Sequence, residues 1–307
     1  LLIWGNMDMA ITIRTMVAHQ GRISLWAGAG VVADSVPELE FAECGAKARA
    51  VLMAIDLARA GFDVVAGMRN PDDGADLGDL VGTGSGSIVV THLDLHDPTT
   101  LDIPQDLRVL VNNAAIERQY LPVEEVEVDE WRAVFETNLF GLVELTRRAI
   151  PEMRRGGNGV ICNVTSSSIL VAIPFYSIYR ASKAAVSAMS ETLRCEVADF
   201  GIRVVEVMPG PVDTDMLVRS DRIPEAVDSD GYREMAEATH AARRAIAGMV
   251  ISTPVAAERI RSIILDDHAG LKHGIDDISI GLLDAWGTNP ISLVGTPYGT
   301  SDPTGSS

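Results

Sequence analysis

Short apolar runs rich in β-branched residues alternate with amphipathic stretches along the chain from about residue 21. The short runs have the length and composition of buried strands, and the amphipathic stretches have the period of helices. This alternation predicts a doubly wound α/β fold, with a parallel sheet of about seven strands and helices on both faces. The predicted strands are residues 22–26, 63–68, 87–94, 107–114, 159–166, 202–210 and, more weakly patterned, 274–281.

Three long amphipathic segments, residues 46–61, 129–156 and 176–201, predict helices, and each ends at a glycine. Residues 214–249 are rich in charge and alanine and predict one or two exposed helices. They follow a strand end, so they should lie at the carboxyl edge of the sheet, where such folds bind ligands.

One folded domain is predicted over residues 21–287. Residues 1–20 have no clear pattern and are expected to form a poorly specified tail. Residues 288–307 are rich in Gly, Pro, Ser and Thr, a composition that predicts a disordered tail.

Composition narrows the class of protein. Hydrophobic residues make up 47% of the 307 residues and charged residues 22%, which is typical of a soluble globular protein. The formal net charge of -18 would repel a phosphate backbone, so nucleic acid is not expected as a partner. No apolar run is long enough to predict a membrane span.

The cysteines and histidines do not predict a metal site. Cys44, Cys162 and Cys195 are too scattered for a disulfide framework or for metal-ligand spacing, which favours a cytoplasmic location. His92 and His96 lie at a strand end, where strand geometry would not bring their rings together.

Tyr179 and Lys183 lie at i and i+4 of the predicted helix 176–201, so both side chains project from one face. A nearby ammonium stabilises a phenolate and lowers a tyrosine pKa that is normally about 10. The pair predicts Tyr179 as a general acid and base near neutral pH; a solvated surface pair is the alternative. Tyr176 competes, but its i+4 neighbour is Arg180, which does not titrate.

Polar residues collect where several predicted strands end. Ser166, the pair Asn112 and Asn113, and the turn Pro209–Gly210 each follow an apolar run, and Asn138 interrupts a helical segment. Because the carboxyl ends of parallel strands meet at one edge of a sheet, these residues should converge on one site. The alternatives are capping serines, a turn asparagine and an ordinary loop.

From about residue 50 to residue 285 the chain resembles the classical short-chain dehydrogenase/reductase family. The segments that carry the resemblance are NNAA (112–115), TNLFG (137–141), NVTSS (163–167), YRASKAA (179–185) and PGPVDT (209–214). The resemblance implies a Rossmann-like fold and an oxidoreductase that uses a nicotinamide cofactor. Two segments, VVAGMRNP (64–71) and AIPFYSIYRASKAAV (172–186), are similar to the 17-beta-hydroxysteroid and retinol dehydrogenase branch.

The resemblance also implies catalytic roles. Tyr179 would exchange a proton with the substrate oxygen, and Ser166 would form a hydrogen bond to the same atom. Lys183 would lower the pKa of Tyr179 and hold the nicotinamide ribose. Asn138 would anchor a water molecule that links Lys183 to solvent.

Cofactor contacts implied by the resemblance lie at the strand ends. Asp94 and the backbone of Leu95 would contact adenine. The remaining contacts would be Asn112 and Ala114 on the ribose side, Tyr179 and Lys183, and Pro209, Gly210, Val212 and Thr214 around the nicotinamide. Ala115 stands where the family has glycine, and its methyl group crowds the packing near the cofactor.

The end of strand 63–68 favours NADP over NAD. In doubly wound domains an acidic residue at this position holds the ribose 2′-hydroxyl, whereas an arginine suits a 2′-phosphate. Here Met68 replaces the acid and Arg69 follows, although Asp72 and Asp73 nearby would repel a phosphate. A solvated loop charge is the alternative interpretation of Arg69.

The glycine-rich phosphate loop is the weakest part of the resemblance. If the segment is aligned on strand 22–26, Gly28 matches, and Gly28 and Gly30 are the predicted pyrophosphate contacts, but Val32 and Asp34 replace the later glycines. If it is aligned on the end of helix 46–61, the non-glycine residues Cys44, Ala48 and Ala50 take the three glycine positions. A natural insertion and a shift of reading frame between residues 27 and 50 both account for this pattern.

The apolar stretch 169–178 and the segment 216–249 should line a pocket for a hydrophobic secondary alcohol or ketone. The family commonly packs the helices that carry Asn138 and Tyr179 between subunits, so a homodimer or homotetramer is expected. The alternative function is a non-catalytic binding or regulatory protein that keeps the fold, since fold alone does not fix activity.

Overall fold

The computed structural model describes residues 14–19, 22–27, 53–74, 77–81, 86–213 and 222–288. Of the eight strands in this part of the chain, β1 (Arg14–His19) and β2 (Arg22–Ala27) pair with each other, and the other six pair in parallel. They are β3 (Asp63–Met68), β4 (Ser87–His92), β5 (Val109–Asn112), β6 (Gly159–Val164), β7 (Ile202–Met208) and β8 (Lys272–Gly274). β3 pairs with β4, and β5 to β8 pair in chain order.

Seven helices cover these strands or flank them in the described residues. They are α1 (53–59), α2 (Val128–Phe135), α3 (Leu142–Gly156), α4 (Ser177–Val197), α5 (Arg233–Ala245), α6 (Thr253–Leu265) and α7 (Asp277–Thr288). The helix that was predicted over 129–156 is divided: a π turn, Glu136–Gly141, separates α2 from α3. Within 214–249 the structure has a short 3-10 helix, Glu225–Asp228, followed by α5.

Successive residues of the central strands point to opposite faces, and each face has its own buried core. One core contains Val111, Cys162 and Val205 together with residues of α1 and α6. The other contains the neighbours Leu110, Ile161 and Val204 together with residues of α3 and α4. Helices therefore cover both faces, which confirms the predicted doubly wound α/β fold and explains why the strands are apolar throughout.

The predicted first strand has a different partner from the one expected. Residues 22–26 do form a strand, β2 (Arg22–Ala27), but it pairs antiparallel with β1 (Arg14–His19), in the region expected to be a tail. These two strands form a separate sheet. The assignment of 22–26 to the parallel sheet was wrong, because an apolar, β-branched run predicts a strand without specifying what it pairs with.

The predicted last strand, 274–281, was also largely wrong. β8 ends at Gly274, and α7 begins at Asp277. Asp276 decides this boundary: its carboxylate accepts from Ser279 N at 2.9 Å and from Ser279 Oγ at 2.7 Å. A buried carboxylate that accepts from a free backbone N–H of the first turn starts a helix where apolar alternation alone predicted a strand.

A buried acidic side chain lies at the junction of β6, β7 and β8. Glu206 is fully buried and accepts from Thr165 Oγ1 at 2.7 Å, from Ser187 Oγ at 3.0 Å and from Lys272 Nζ at 3.0 Å. Lys272 Nζ also lies 2.9 Å from the exposed carboxylate of Glu191. Burial alone would lower the pKa of Lys272, but the two carboxylates outweigh it and raise that pKa. The ammonium of Lys272 therefore balances the buried negative charge of Glu206 where these three strands meet.

Replacing Lys272 with methionine should lower the free energy of unfolding by about 3 kcal/mol, because it leaves the Glu206 charge buried without its cation. Glu191→Gln is the matched control, since it removes only the exposed partner and should cost about 0.5 kcal/mol or less. Urea unfolding followed by circular dichroism measures both. Equal losses in the two variants would contradict the assigned importance of Glu206.

Candidate active site

The ends of β6 and β7 are joined by backbone hydrogen bonds that continue past both strands. Thr165 N donates to Val207 O at 2.8 Å, and Ser167 N donates to Pro209 O at 2.9 Å. The segment that contains Ser166 therefore lies beside the Pro209–Gly210 turn. Two of the predicted site segments thus meet at one edge of the sheet.

Ser166 begins a short 3-10 helix, Ser167–Leu170, and acts as its cap. Its Oγ accepts from Ser168 N at 3.2 Å and from Ser168 Oγ at 2.9 Å. These bonds orient the oxygen, and its own proton stays available for another acceptor. Ser168 had no predicted role, and its part in orienting Ser166 follows from the cap geometry.

Helix α4 is fixed to this segment by two basic side chains. Lys183 is 1% exposed, and its Nζ donates to Val164 O at 2.8 Å. Arg180 Nε donates to Ser168 O at 3.1 Å. These contacts hold one face of α4 against the end of β6, which is the face predicted for Tyr179 and Lys183.

Tyr179 is buried beside Lys183, whose Nζ lies 5.9 Å from the centre of the Tyr179 ring. The competing Tyr176 is also buried, and its OH donates to Glu117 Oε2 at 3.2 Å. Burial raises the pKa of Tyr176 well above its ordinary value, and the carboxylate of Glu117 raises it further. Tyr176 is therefore protonated across the neutral range, which leaves Tyr179 as the tyrosine that lies beside Lys183.

Asn138 lies in the π turn and is fully buried. Its Oδ1 accepts from Ile116 N at 2.7 Å, and its Nδ2 donates to Ile116 O at 2.9 Å and to Ser182 Oγ at 3.0 Å. Ser182 Oγ in turn donates to Tyr179 O at 2.8 Å. Asn138 thus connects the loop after β5 to α4, and the wider π turn explains an asparagine inside a helical segment.

The side chains of Asn112, the last residue of β5, and of Asn113, which follows it, have different surroundings. Asn112 Nδ2 donates to Thr146 Oγ1 at 3.0 Å and to Asn163 Oδ1 at 2.8 Å, so its side chain belongs to the core. Asn113 is 7% exposed, and its Oδ1 has no hydrogen-bond partner among the described residues. Ala114, the next residue, is buried.

At the other end of the sheet edge, Arg69 and Asp94 lie together. Arg69 Nε is 3.9 Å from Asp94 Oδ2, at the ends of β3 and β4. Leu95 is buried, and a Cβ on Gly141 of the π turn would lie only 2.5 Å from its Cβ. The residues predicted to contact adenine and the 2′ position therefore share one corner, which adjoins the π turn.

The Pro209–Gly210 turn is held by a residue that the sequence did not indicate. Gly210 N donates to Asp276 Oδ2 at 2.7 Å, and a Cβ on Gly210 would collide with that carboxylate. Glycine is thus required by Asp276, which is fully buried. Val212 is buried and pairs with Ile251. The Asp-x-x-Ser spacing before α7 is the capping signal that could have located Asp276.

Three predicted cofactor residues, Gly28, Gly30 and Thr214, lie outside the described residues. The described part fits a nicotinamide dinucleotide in two respects. It places an ammonium and a phenol side by side at the sheet edge, and it leaves the buried Asn113 Oδ1 for a hydroxyl donor such as a ribose. No group of three or more potential metal ligands occurs among the described residues.

The family model described as short chain dehydrogenase matches residues 49–223. A second family model, described as chorismate binding enzyme, matches residues 2–53. The described β1 and β2, as well as Gly28 and Gly30, therefore lie inside the second match and outside the first.

Among curated proteins, an uncharacterized oxidoreductase of Bacillus subtilis is 36% identical over 175 residues, which are 53% of this chain and 61% of that protein. The chain thus spans less than two thirds of this relative. D-beta-hydroxybutyrate dehydrogenase of Rhizobium meliloti is 31% identical over 199 residues, or 59% of this chain and 73% of that protein.

Among solved structures, a short chain dehydrogenase of Burkholderia cenocepacia in complex with NADP matches with a TM-score of 0.58 at 25% identity. The match covers 80% of this chain and 90% of that one.

Within the residues that the structure describes, every helix is too short or too polar to cross a bilayer.

Asn138→Ala should lower the free energy of unfolding by about 3 kcal/mol, because it leaves both backbone groups of Ile116 buried without their partner. The exposed Asn158 supplies a matched control, and Asn158→Ala should change stability by about 0.5 kcal/mol or less. Urea unfolding measures the difference, and hydrogen exchange at Ile116 localises it. A small loss in Asn138→Ala with Ile116 still protected would show that the contact is dispensable.

Proposed function

Since the chain belongs to the short chain dehydrogenase family, we propose that it is an oxidoreductase that transfers a hydride between NADP(H) and a hydrophobic secondary alcohol or ketone. The observation that carries the proposal is the buried pair on α4: Tyr179 lies beside an ammonium whose Nζ is bonded to the end of β6. A lysine with only a structural role can lie at the surface. A buried ammonium next to a phenol instead stabilises the phenolate form of that phenol.

In the proposed reaction the chain supplies the proton and the alignment. Tyr179 gives a proton to the ketone oxygen in reduction, or takes it from the alcohol in oxidation. Ser166 donates a hydrogen bond to the same oxygen, and Lys183 lowers the pKa of Tyr179. Asn138, as the resemblance implies, would anchor a water molecule that links Lys183 to solvent. The nicotinamide, when bound, supplies or accepts the hydride.

The residues proposed to hold the cofactor follow the sheet edge. Arg69, Asp94 and Leu95 would bind the adenosine end, and Asn113, Ala114 and the backbone of Asn112 would bind the ribose. Lys183, Pro209, Gly210, Val212 and Thr214 would surround the nicotinamide, and Gly28 and Gly30 would approach the pyrophosphate. NADP is proposed over NAD because Met68 ends β3 where an NAD-binding domain has an acidic residue, and the Arg69 that follows suits a 2′-phosphate.

A hydrophobic substrate is supported by the packing around Tyr179. Tyr120 and Tyr176 are buried with it, and Ala115, Ile173 and Phe175 pack against the group. The relative named D-beta-hydroxybutyrate dehydrogenase supports a hydroxyl group as the site of reaction.

We further propose a cytoplasmic homodimer or homotetramer. The scattered cysteines support a reducing compartment. Val128 and Phe140 are large exposed apolar side chains beside the helices proposed to pack between subunits. Light scattering at micromolar concentration measures the oligomeric state, and a monomer there would contradict the proposal.

Tyr179→Phe should lower kcat for ketone reduction by about 10² to 10⁴, because it removes the proton donor and leaves the ring. Tyr176→Phe is the matched control and should keep at least about a tenth of kcat, since burial raises the pKa of Tyr176 and makes it a poor proton donor near neutral pH. NADPH absorbance with a panel of ketones measures both. Comparable activity in Tyr179→Phe and the unsubstituted chain would rule out the assigned role.

NADPH at 100 times its dissociation constant should stabilise the chain by about 2.7 kcal/mol, seen as a rise in melting temperature. Arg69→Gln should weaken NADPH binding about tenfold or more and leave NADH binding unchanged, because only NADPH carries the 2′-phosphate. Tryptophan fluorescence titrations compare the two nucleotides. Absence of binding of both NADPH and NADH at millimolar concentration would exclude the oxidoreductase and favour a non-catalytic role.

A further inference from the structure

Two tyrosines and an arginine join three separate parts of the chain next to Tyr179. The rings of Tyr120 and Tyr176 stack with their centres 5.1 Å apart. The guanidinium of Arg243 lies 4.9 Å from the centre of the Tyr120 ring and 5.0 Å from that of Tyr176. Both distances are within the range of a cation–π contact, so one cation contacts both rings.

We propose that Arg243 is a positioning residue that holds α5 in place beside the helix that carries Tyr179. The proposal rests on the proposed function in one respect: α5 belongs to the segment expected to enclose the substrate. Arg243 lies in the last turn of α5, whereas Tyr176 immediately precedes α4. The contact thus joins two elements that no backbone hydrogen bond connects in the described residues.

Charge complementarity supports the assignment. Tyr176 OH donates to the carboxylate of Glu117, which is only 6% exposed. A buried carboxylate is stable only near a compensating positive charge or several donors. Arg243 brings a guanidinium to the same pair of rings, and its flat face suits stacking on an aromatic ring in a way that lysine does not.

The start of α5 and the residues before it are held by contacts other than the Arg243 contact. Tyr120 N donates to Glu225 Oε2 at 2.9 Å, and Ala226 N donates to Tyr120 O at 3.1 Å. Just before α5, Tyr232 OH donates to Glu124 Oε1 at 2.9 Å. These contacts fix the start of α5, and Arg243 fixes its end.

Tyr176 relates α5 to the proposed catalytic ring. The centres of the Tyr176 and Tyr179 rings are 5.2 Å apart, with the planes inclined by 50°. The preceding residue, Phe175, has φ of 66°, a left-handed conformation that is costly for an aromatic residue, and its ring packs edge-on against Tyr232. The surrounding contacts therefore impose the position of Tyr176, and through it the distance from α5 to Tyr179.

Loss of Arg243 should loosen α5 without disturbing proton transfer. Lys183 is anchored to Val164 O by its own hydrogen bond, so the Tyr179 and Lys183 pair should keep its geometry. The expected effect is a higher KM for the carbonyl substrate with kcat and its pH profile retained. A general loss of folding would instead lower the amount of active protein and leave KM unchanged.

The test compares Arg243→Met, Arg243→Lys and Arg244→Met in the full chain. Arg244 is the exposed neighbour on the same turn, so Arg244→Met is the matched control. Hydrogen exchange of peptides from 225–245, without ligand, should be about tenfold faster in Arg243→Met, less affected in Arg243→Lys and unchanged in Arg244→Met. The lysine variant also covers the case in which the methionine variant does not fold.

The kinetic arm uses NADPH with acetophenone as the ketone probe. KM for acetophenone should rise about tenfold in Arg243→Met, with kcat within about threefold. Equal exchange in Arg243→Met and Arg244→Met, or a fall in kcat at constant KM, would overturn the positioning role. If the unsubstituted chain does not oxidise NADPH with any ketone, the proposed function fails, and the exchange data still decide the role of Arg243.

Discussion

The hydrogen bond from Lys183 Nζ to Val164 O is the interaction on which the site depends. A buried ammonium is very costly unless it is bonded, so this contact fixes the rotation of α4 over the carboxyl end of β6. Tyr179 lies one turn earlier on the same face and is thereby directed to the same edge. Ser166, two residues beyond Val164, is brought to that edge by the strand itself. A single buried charge thus aligns a helix, a strand and a capping loop.

Much of the architecture follows from local pattern. Strand 63–68 is predicted with its observed bounds, and the i, i+4 spacing places Tyr179 and Lys183 on one helical face, because both depend only on near neighbours. The stack of Tyr120 and Tyr176, the Arg243 contact and the Asp276 support of Gly210 join residues far apart in sequence. No local period encodes such contacts, so they emerge only from the three-dimensional structure.

The N-terminal region likewise shows that a local pattern predicts a strand but does not predict its pairing partner. An apolar run at 22–26 correctly predicts a strand, but its antiparallel partner at 14–19 has no comparable signal. The imperfect glycine pattern coincides with a change of family: residues 2–53 match chorismate binding enzymes, and the short chain dehydrogenase match begins at residue 49. The proton-transfer side of the proposed site lies wholly within the short chain dehydrogenase match, whereas the predicted pyrophosphate contacts, Gly28 and Gly30, lie outside it.

The bond between Gly210 and Asp276 sets an order of events during synthesis. The turn beside the proposed nicotinamide position is complete only when Asp276 and α7 are present, long after β6 and α4 have been made. On the ribosome, earlier elements can pack as they emerge, but this side of the site must wait for residues near the end of the described chain. Assembly of the site is therefore a late step of folding, and a nascent chain carries its proton-transfer pair before it can hold the turn.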